Sequence, residues 1–301
     1  MPTAPQSSQN YALGHSEPEL ERLIFQAHLL EPFTRQVFLA AGIVEGMRVL
    51  DIGSGAGDVA FLAASLVGRT GSVVGIDRAA AAIAAATKRA EALGLSNVRF
   101  LEGDPAGMQF EQPFDAVVGR FVLMFLPDPT EIVRRLVAYL CPGGVIAFLE
   151  ALDMNSLRSY PPVPLFDRCV RWNAAALQAM GAEPQMGLKL FPLFIAAGLP
   201  APTLRTQVFV GGGADNPGYR VVAETARSLL SVMTQFGIAT AEEVAIDTLA
   251  ERMRDEIVAA GSVIVSPIMA GAFSRKPSAP ARAASKHSVS GIDIAQVVAP
   301  L

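Results

Sequence analysis

Apolar residues first recur at helical spacing over 16–42, where Leu20, Leu23, Ile24 and His28 share a face behind Ser16 and the acids Glu17, Glu19 and Glu21. That pattern predicts one or two amphipathic helices, a helical arm covering 1–45. From Arg48 the texture changes to short apolar runs parted by glycine turns and helix-forming stretches, the alternation of a parallel sheet with crossover helices. Strands are expected near 48–52, 73–76, 98–101, 115–118 and 145–150, and helices over 59–66, 79–93 and 129–140, with Gly94 and Gly143-Gly144 as helix ends. The expected fold class is therefore α/β: a doubly wound, mostly parallel sheet over 46–153.

The pattern loosens after residue 150. Six prolines, Trp172, Tyr160 and several Phe and Met residues over 151–200 suit an irregular, partly helical cover better than more sheet. Strand candidates return at 204–210 and 262–270, and the helical stretch 219–259 between them is too long for a hairpin loop. We expect 154–274 to hold a substrate lid, the remaining strands and a helical insertion. Residues 275–301, rich in Ser, Ala, Pro and Lys, are expected to form a flexible tail.

Composition narrows the function. With 24 basic and 28 acidic residues the net charge is −4, and no Lys/Arg stripe offers a footprint for nucleic acid. Hydrophobic content is 51% and mean hydropathy +0.38, but the excess is mostly alanine and no apolar run reaches membrane-spanning length. The first ten residues are polar and lack the pattern of a signal peptide, so a soluble, cytoplasmic protein is expected. Cys141 and Cys169 lie far apart without a CxxC or Cys/His cluster, which argues against a disulfide framework and a structural zinc site.

The densest chemistry lies at Asp51-Ile-Gly53-Ser54-Gly55-Ala-Gly57, where a strand runs straight into a turn and then a helix. So tight a turn needs glycine for positive φ and for close approach of a ligand to the backbone. Position 58 holds Asp where a dinucleotide fingerprint has its third glycine, and an aspartate there repels a pyrophosphate. Asp77 closes the next strand about 20 residues on, where a carboxylate can accept from both ribose hydroxyls; that alone suits NAD equally well. Asp104, after Phe100-Leu-Glu-Gly103, places a further acid within reach of an adenine amino group.

Through VLDIGSGAGD, GSVVGID, NVRFLEGD, FDAVVGRFVLMFLPDP and CPGGVIAFLE the chain resembles the class I S-adenosylmethionine-dependent methyltransferases, and more narrowly the small-molecule group related to the ubiquinone and menaquinone methyltransferases. The likeness is close over 45–150, extends toward Tyr11-Ala-Leu-Gly-His15, and is only topological beyond 150. It implies a Rossmann-like fold with an N-terminal helical arm and helical lid insertions, and S-adenosylmethionine as cofactor. It further implies Gly53 and Gly55 under the methionine part, Asp77 on the ribose and Asp104 at the adenine, with Asp51, Ser54 and Arg78 as further cofactor-binding candidates. Pro105 departs from the family pattern: the residue there usually donates its backbone N–H to the adenine ring, and proline has none, so either Ala106 donates or that contact is missing.

Arg120 interrupts the apolar run Val117-Val-Gly-Arg-Phe-Val-Leu-Met-Phe, which favours a site role on the methionine carboxylate or at the transfer site over a surface salt bridge. Tyr11 and Gln26 are candidate cofactor contacts from the arm. His15 is the candidate catalytic base, its near-neutral pKa suiting a hydroxyl or carbon acceptor, with a purely structural place beside the first helix as the alternative. His28 and His287 are assigned no role. Trp172, Tyr160, Met180 and Met186 hint at an apolar substrate but equally suit a core. The expected function is methyl transfer to a small, apolar or aromatic metabolite, with no metal, no nucleic acid and a homodimer left open. A cyclase, isomerase or regulator on the same fold is the alternative, and an NAD(P)-dependent oxidoreductase a more distant one.

Overall fold

A computed structural model describes residues 17–105 and 107–278, with side chains described from Arg22 onward. The arm is one helix, α1 (Glu17–Ala41), which runs through Pro32. The core follows as β1 (Arg48–Ile52), α2 (Asp58–Val67), β2 (Ser72–Asp77), α3 (Ala80–Ala92), β3 (Val98–Glu102), β4 (Phe114–Arg120), α4 (Pro129–Tyr139) and β5 (Leu140–Ala151). Every core strand expected from the pattern is present: β1, β2, β4 and β5 carry the apolar runs of strands covered on both faces, while β3, at the sheet edge, is only partly buried.

Beyond β5 the chain builds β6 (Arg158–Tyr160), α5 (Pro164–Ala179), α6 (Met186–Ala196), β7 (Thr203–Gln207), β8 (Val210–Gly212), α7 (Gly218–Gln235), α8 (Ala241–Val244), α9 (Ile246–Ala259), β9 (Val263–Val265) and β10 (Met269–Arg275). Both late strand candidates split in two. Each divides between the main sheet, of order β3-β2-β1-β4-β5-β10-β7, and a small sheet of order β6-β9-β8. The last strand also runs further than its apolar pattern suggested: Arg275 ends β10 and donates to Gly143 O and Ala41 O, and Lys276 donates to Leu140 O. Residues 279–301 lie outside the described residues.

Strands β3-β2-β1-β4-β5 are parallel, and β10 runs antiparallel between β5 and β7. Strand order therefore reverses between β1 and β4, where crossover helices leave to opposite faces and a crevice opens at the C-terminal strand ends. Alternate residues feed two cores. Val49, Val73, Ala116, Val118, Val145 and Leu149 pack under α1 and α2. Leu50, Ile76, Val117, Ile146 and Phe148 pack under α4, α5 and α6. Among the described residues no helix is long and apolar enough to cross a membrane.

Helix α1 lies directly on the sheet because β10 offers Gly271 there; a Cβ at that position would sit 2.5 Å from Val37 Cγ2. The Arg220 guanidinium of α7 stacks over the Phe25 ring at 4.5 Å and ties the outer end of α1 to the cover. Gly271→Ala is expected to destabilise the fold by about 1–3 kcal/mol through overpacking. Urea denaturation checks this, and a midpoint equal to wild type would show that α1 has room to shift.

Candidate active site

A cavity of about 650 Å³ opens over the crevice between β1 and β4. Its polar lining comes from the turns after β1 and β2: Gly53, Ser54, Gly55, Asp58, Asp77, Arg78 and Ala79, with Pro105 after β3 and Arg120 ending β4. Its apolar lining comes from Leu23 and Leu30 of α1, from Phe121, Val122, Phe125 and Leu126 after β4, and from Met180 at the end of α5; Gln26 of α1 also faces it.

Two glycines fix the turn after β1 for different reasons. Gly53 has φ 63° and has no room for a side chain, since a Cβ would lie 2.5 Å from Val122 Cγ2. Gly55 has φ 49° and nothing within 4 Å of its absent Cβ, so its backbone is bare to the cavity. Asp77 locks this shape: its Oδ2 accepts from Gly55 N–H and its Oδ1 from Ala79 N–H, both at 2.9 Å. A carboxylate has lone pairs left for further donors.

Asp51 is 1% exposed, one residue before the cavity floor. Neither of its oxygens has a hydrogen bond of normal geometry, nor has the buried Ser54 Oγ. Burial holds the Asp51 carboxyl well above the usual carboxylate range; Arg120 and the Ala60 N–H oppose this, while Asp77 and Asp58 add to it. Arg120 donates to Thr34 Oγ1 at 3.0 Å and so fastens β4 to α1. Burial lowers its pKa against the pull of Asp58, Asp51 and Glu31. Arg120 and Asp58 also line a second cavity of about 220 Å³ between α1 and α2.

Several expected site residues thus come together around one cavity: Gly53, Ser54, Gly55, Asp77, Arg78, Pro105, Arg120 and Gln26. Gln26 accepts from Arg22 at 2.9 Å. Asp104 does not line the cavity; it pairs with Arg78 at 2.6 Å on the exposed rim, where an ion pair contributes at most about 1 kcal/mol. Tyr11, His15 and Ala106 lie outside the described residues.

Of the four lid residues only Met180 reaches the cavity. Trp172 and Met186 are buried in the core, and Tyr160 is 69% exposed. His28 is exposed, with Nδ1 2.7 Å from Ile24 O. Cys141 and Cys169 are both free, and no metal-binding cluster occurs among the described residues.

No site role is expected from the sequence for the segment after β4, although Phe121-Val-Leu-Met-Phe125 is an apolar run directly following Arg120. Phe121 sits at φ 52°, a left-handed conformation costing a non-glycine residue about 1–2 kcal/mol. Strain of this kind persists where surrounding contacts over-determine it.

A family model described as "Methyltransferase domain" matches residues 43–168. A 2-phytyl-1,4-naphtoquinone methyltransferase of Synechococcus elongatus is 35% identical over 192 residues, covering 59% of this chain and 81% of that protein. An arsenite methyltransferase of Aquipseudomonas alcaligenes is 36% identical over 120 residues, but these are 37% of this chain and only 35% of that relative. Among solved structures, the YcgJ protein of Bacillus subtilis aligns over 82% of this chain and 99% of its own with a TM-score of 0.55; at 18% identity it shows the shared fold alone. The chain belongs to the methyltransferase-domain family, the Rossmann-like class whose methyl donor is S-adenosylmethionine.

The unpaired carboxyl beneath the cavity has a consequence for stability. A carboxyl whose pKa is raised on folding contributes stability that is complete below its unfolded value and is lost as pH rises through the folded one. Asp51→Asn is expected to flatten that loss, so that the variant melts above wild type at alkaline pH, while it weakens binding of S-adenosylhomocysteine. Thermal melts across pH, paired with calorimetry, check this; a variant with parallel melting behaviour and intact binding would remove Asp51 from the site.

Proposed function

We propose that this chain transfers a methyl group from S-adenosylmethionine to a small, apolar or aromatic metabolite held between the Gly53 turn, α1 and the segment after β4. The observation that carries this is the division of one cavity into a polar share from the turns after β1 and β2 and an apolar share from α1, 121–126 and Met180. S-adenosylmethionine would supply, when bound, an electrophilic methyl group on a sulfonium.

The residues fit that cofactor. Asp51 and Ser54 hold buried oxygens without partners, a need that an ammonium group meets. The bare backbone at Gly53 and Gly55 admits the methionine chain, and Arg120 has donors for its carboxylate. Asp77 stands for the ribose hydroxyls, with Arg78, Ala79 and Pro105 beside the adenine and Asp104 acting at the rim through Arg78. Asp58 disfavours a dinucleotide: it already pairs with Arg89 at 2.8 Å at the start of α2, where a pyrophosphate would need free N–H groups.

The chain's own contribution to the reaction is alignment and exclusion of water, which the apolar share of the cavity supports. His15, with Tyr11 near it in sequence, is retained as the proposed base. An acceptor with an acidic hydroxyl, such as a phenol or quinol, needs little help from it.

Calorimetric titration with S-adenosylmethionine, S-adenosylhomocysteine and NAD, followed by labelled-methyl transfer to naphthoquinols, phenols and arsenite, tests the proposal. Binding of the first two without NAD is expected, and NAD binding alone would overturn it. Asp77→Ala is expected to weaken S-adenosylmethionine binding by about 1–3 kcal/mol. An unchanged affinity would mean that the ribose lies elsewhere.

A further inference from the structure

The wall formed by 121–126 has little regular structure beyond a single 3₁₀ turn at Leu123–Phe125. Phe121 N–H donates to Leu149 O at 2.9 Å at its start and Glu183 N–H to Met124 O at 2.8 Å further on, and between these the side chain that holds its backbone is Glu150 on β5, which is fully buried. Glu150 Oε1 accepts from Val122 N–H at 3.0 Å and from Leu123 N–H at 2.8 Å, and Oε2 is buried without a partner. The Val122 side chain in turn occupies the space left by the missing side chains of Gly53 and Gly119. Phe121, Val122, Phe125 and Leu126 line the cavity, whereas Glu150 does not, so any effect of Glu150 reaches the site through them.

We propose that Glu150 is a positioning residue whose buried carboxyl clamps the backbone of Val122 and Leu123, keeps Phe121 in its left-handed conformation, and presses Val122 against the cofactor turn. The inference rests on the reading of this cavity as the cofactor and acceptor site.

Burial favours the neutral acid in the folded protein. Burial pushes the Glu150 carboxyl up to about 8; the opposing influences are the backbone N–H groups of Leu123, Val122 and Met124, and no ionised side chain stands among them. At neutral pH the protonated acid accepts through Oε1 as a carbonyl would, which a glutamine amide reproduces. Because the folded value lies above the ordinary 4.5, the stability contributed is complete below about 4.5 and is lost as pH rises through about 8. Ionisation leaves a buried carboxylate without a counter-charge; the N–H bonds offset that cost only in part, and opening of the segment toward water relieves it over the same window.

The test uses the full chain with S-adenosylhomocysteine as the calorimetric probe from pH 6.5 to 9, together with amide hydrogen exchange at Val122 and Leu123 in the free protein. Wild-type affinity is expected to fall several-fold as pH passes about 8. Glu150→Ala is expected to lose protection at both amides and to bind about tenfold more weakly at pH 6.5, the effect of one broken charge-free clamp. Glu150→Gln is expected to restore protection and most of the affinity, and to lose less affinity than wild type as pH passes about 8. Wild-type affinity and amide protection in Glu150→Ala, or a Glu150→Gln variant whose affinity declines as steeply as that of wild type, would overturn the proposal. If wild type bound no S-adenosylhomocysteine while protection still depended on Glu150, the clamp would stand and the cofactor reading would fall.

Discussion

Two backbone turns meet at the end of the sheet, one after β1 and one after β4, and the contact between Gly53 and the Val122 side chain determines how closely they approach. Strand order reverses there, so no crossover helix fills the gap, and the space above becomes the cavity. Neither turn is stable by itself. The first uses left-handed glycines and leans on Asp77, which accepts from Gly55 and Ala79. The second carries a left-handed phenylalanine and leans on Glu150. A carboxyl from a neighbouring strand thus supports each turn, but in opposite settings: Asp77 faces the cavity, and Glu150 is sealed in the core.

The same burial that makes these supports rigid makes them electrostatically unusual. Asp51 and Glu150 both lie under the site and both are pushed upward by desolvation, yet their surroundings differ. Asp51 has Arg120 among its neighbours and two unpartnered oxygens, an arrangement left incomplete on the side where a cationic ligand group would complete it. Glu150 has only backbone donors and no counter-charge, which suits a neutral acid acting as a fixed acceptor. Both carboxyls carry the cost of burial, and they differ in that one Glu150 oxygen is satisfied by backbone N–H groups.

Helix α1 makes the arrangement a binding chamber rather than an open crevice. It contributes Leu23, Gln26 and Leu30 to the cavity, is fastened to β4 through Thr34 and Arg120, and is pinned at its C-terminal end by Arg275 from the last strand. Helix α1 therefore spans the sheet from the cavity at the C-terminal strand ends to the opposite end, where Arg275 pairs with Val145 and holds Ala41. This explains why a strand so late in sequence as β10 matters for the site, and why its glycine at 271 admits the helix so closely.

How much of this was legible beforehand follows from the range of the interactions involved. The α/β alternation, the five parallel strands and the glycine turn after β1 are local patterns: apolar runs, glycines at positive φ and the acids Asp51, Asp77 and Glu102 at the ends of the first three strands all lie within a few residues of the structure they specify. Asp51, Gly53, Gly55 and Asp77 could therefore be named from their own neighbourhoods. The wall after β4 could not. Phe121, Val122, Phe125 and Leu126 look like ordinary core, and only the pairing of β4 with β5 brings Glu150 beneath their backbone. Trp172 and Met186 carry as strong an apolar signal as Met180, yet the packing of α5 and α6 turns only Met180 toward the cavity. Composition determines that a residue will be buried; which partner buries it depends on contacts between segments far apart in the chain, and those exist only once the sheet has closed.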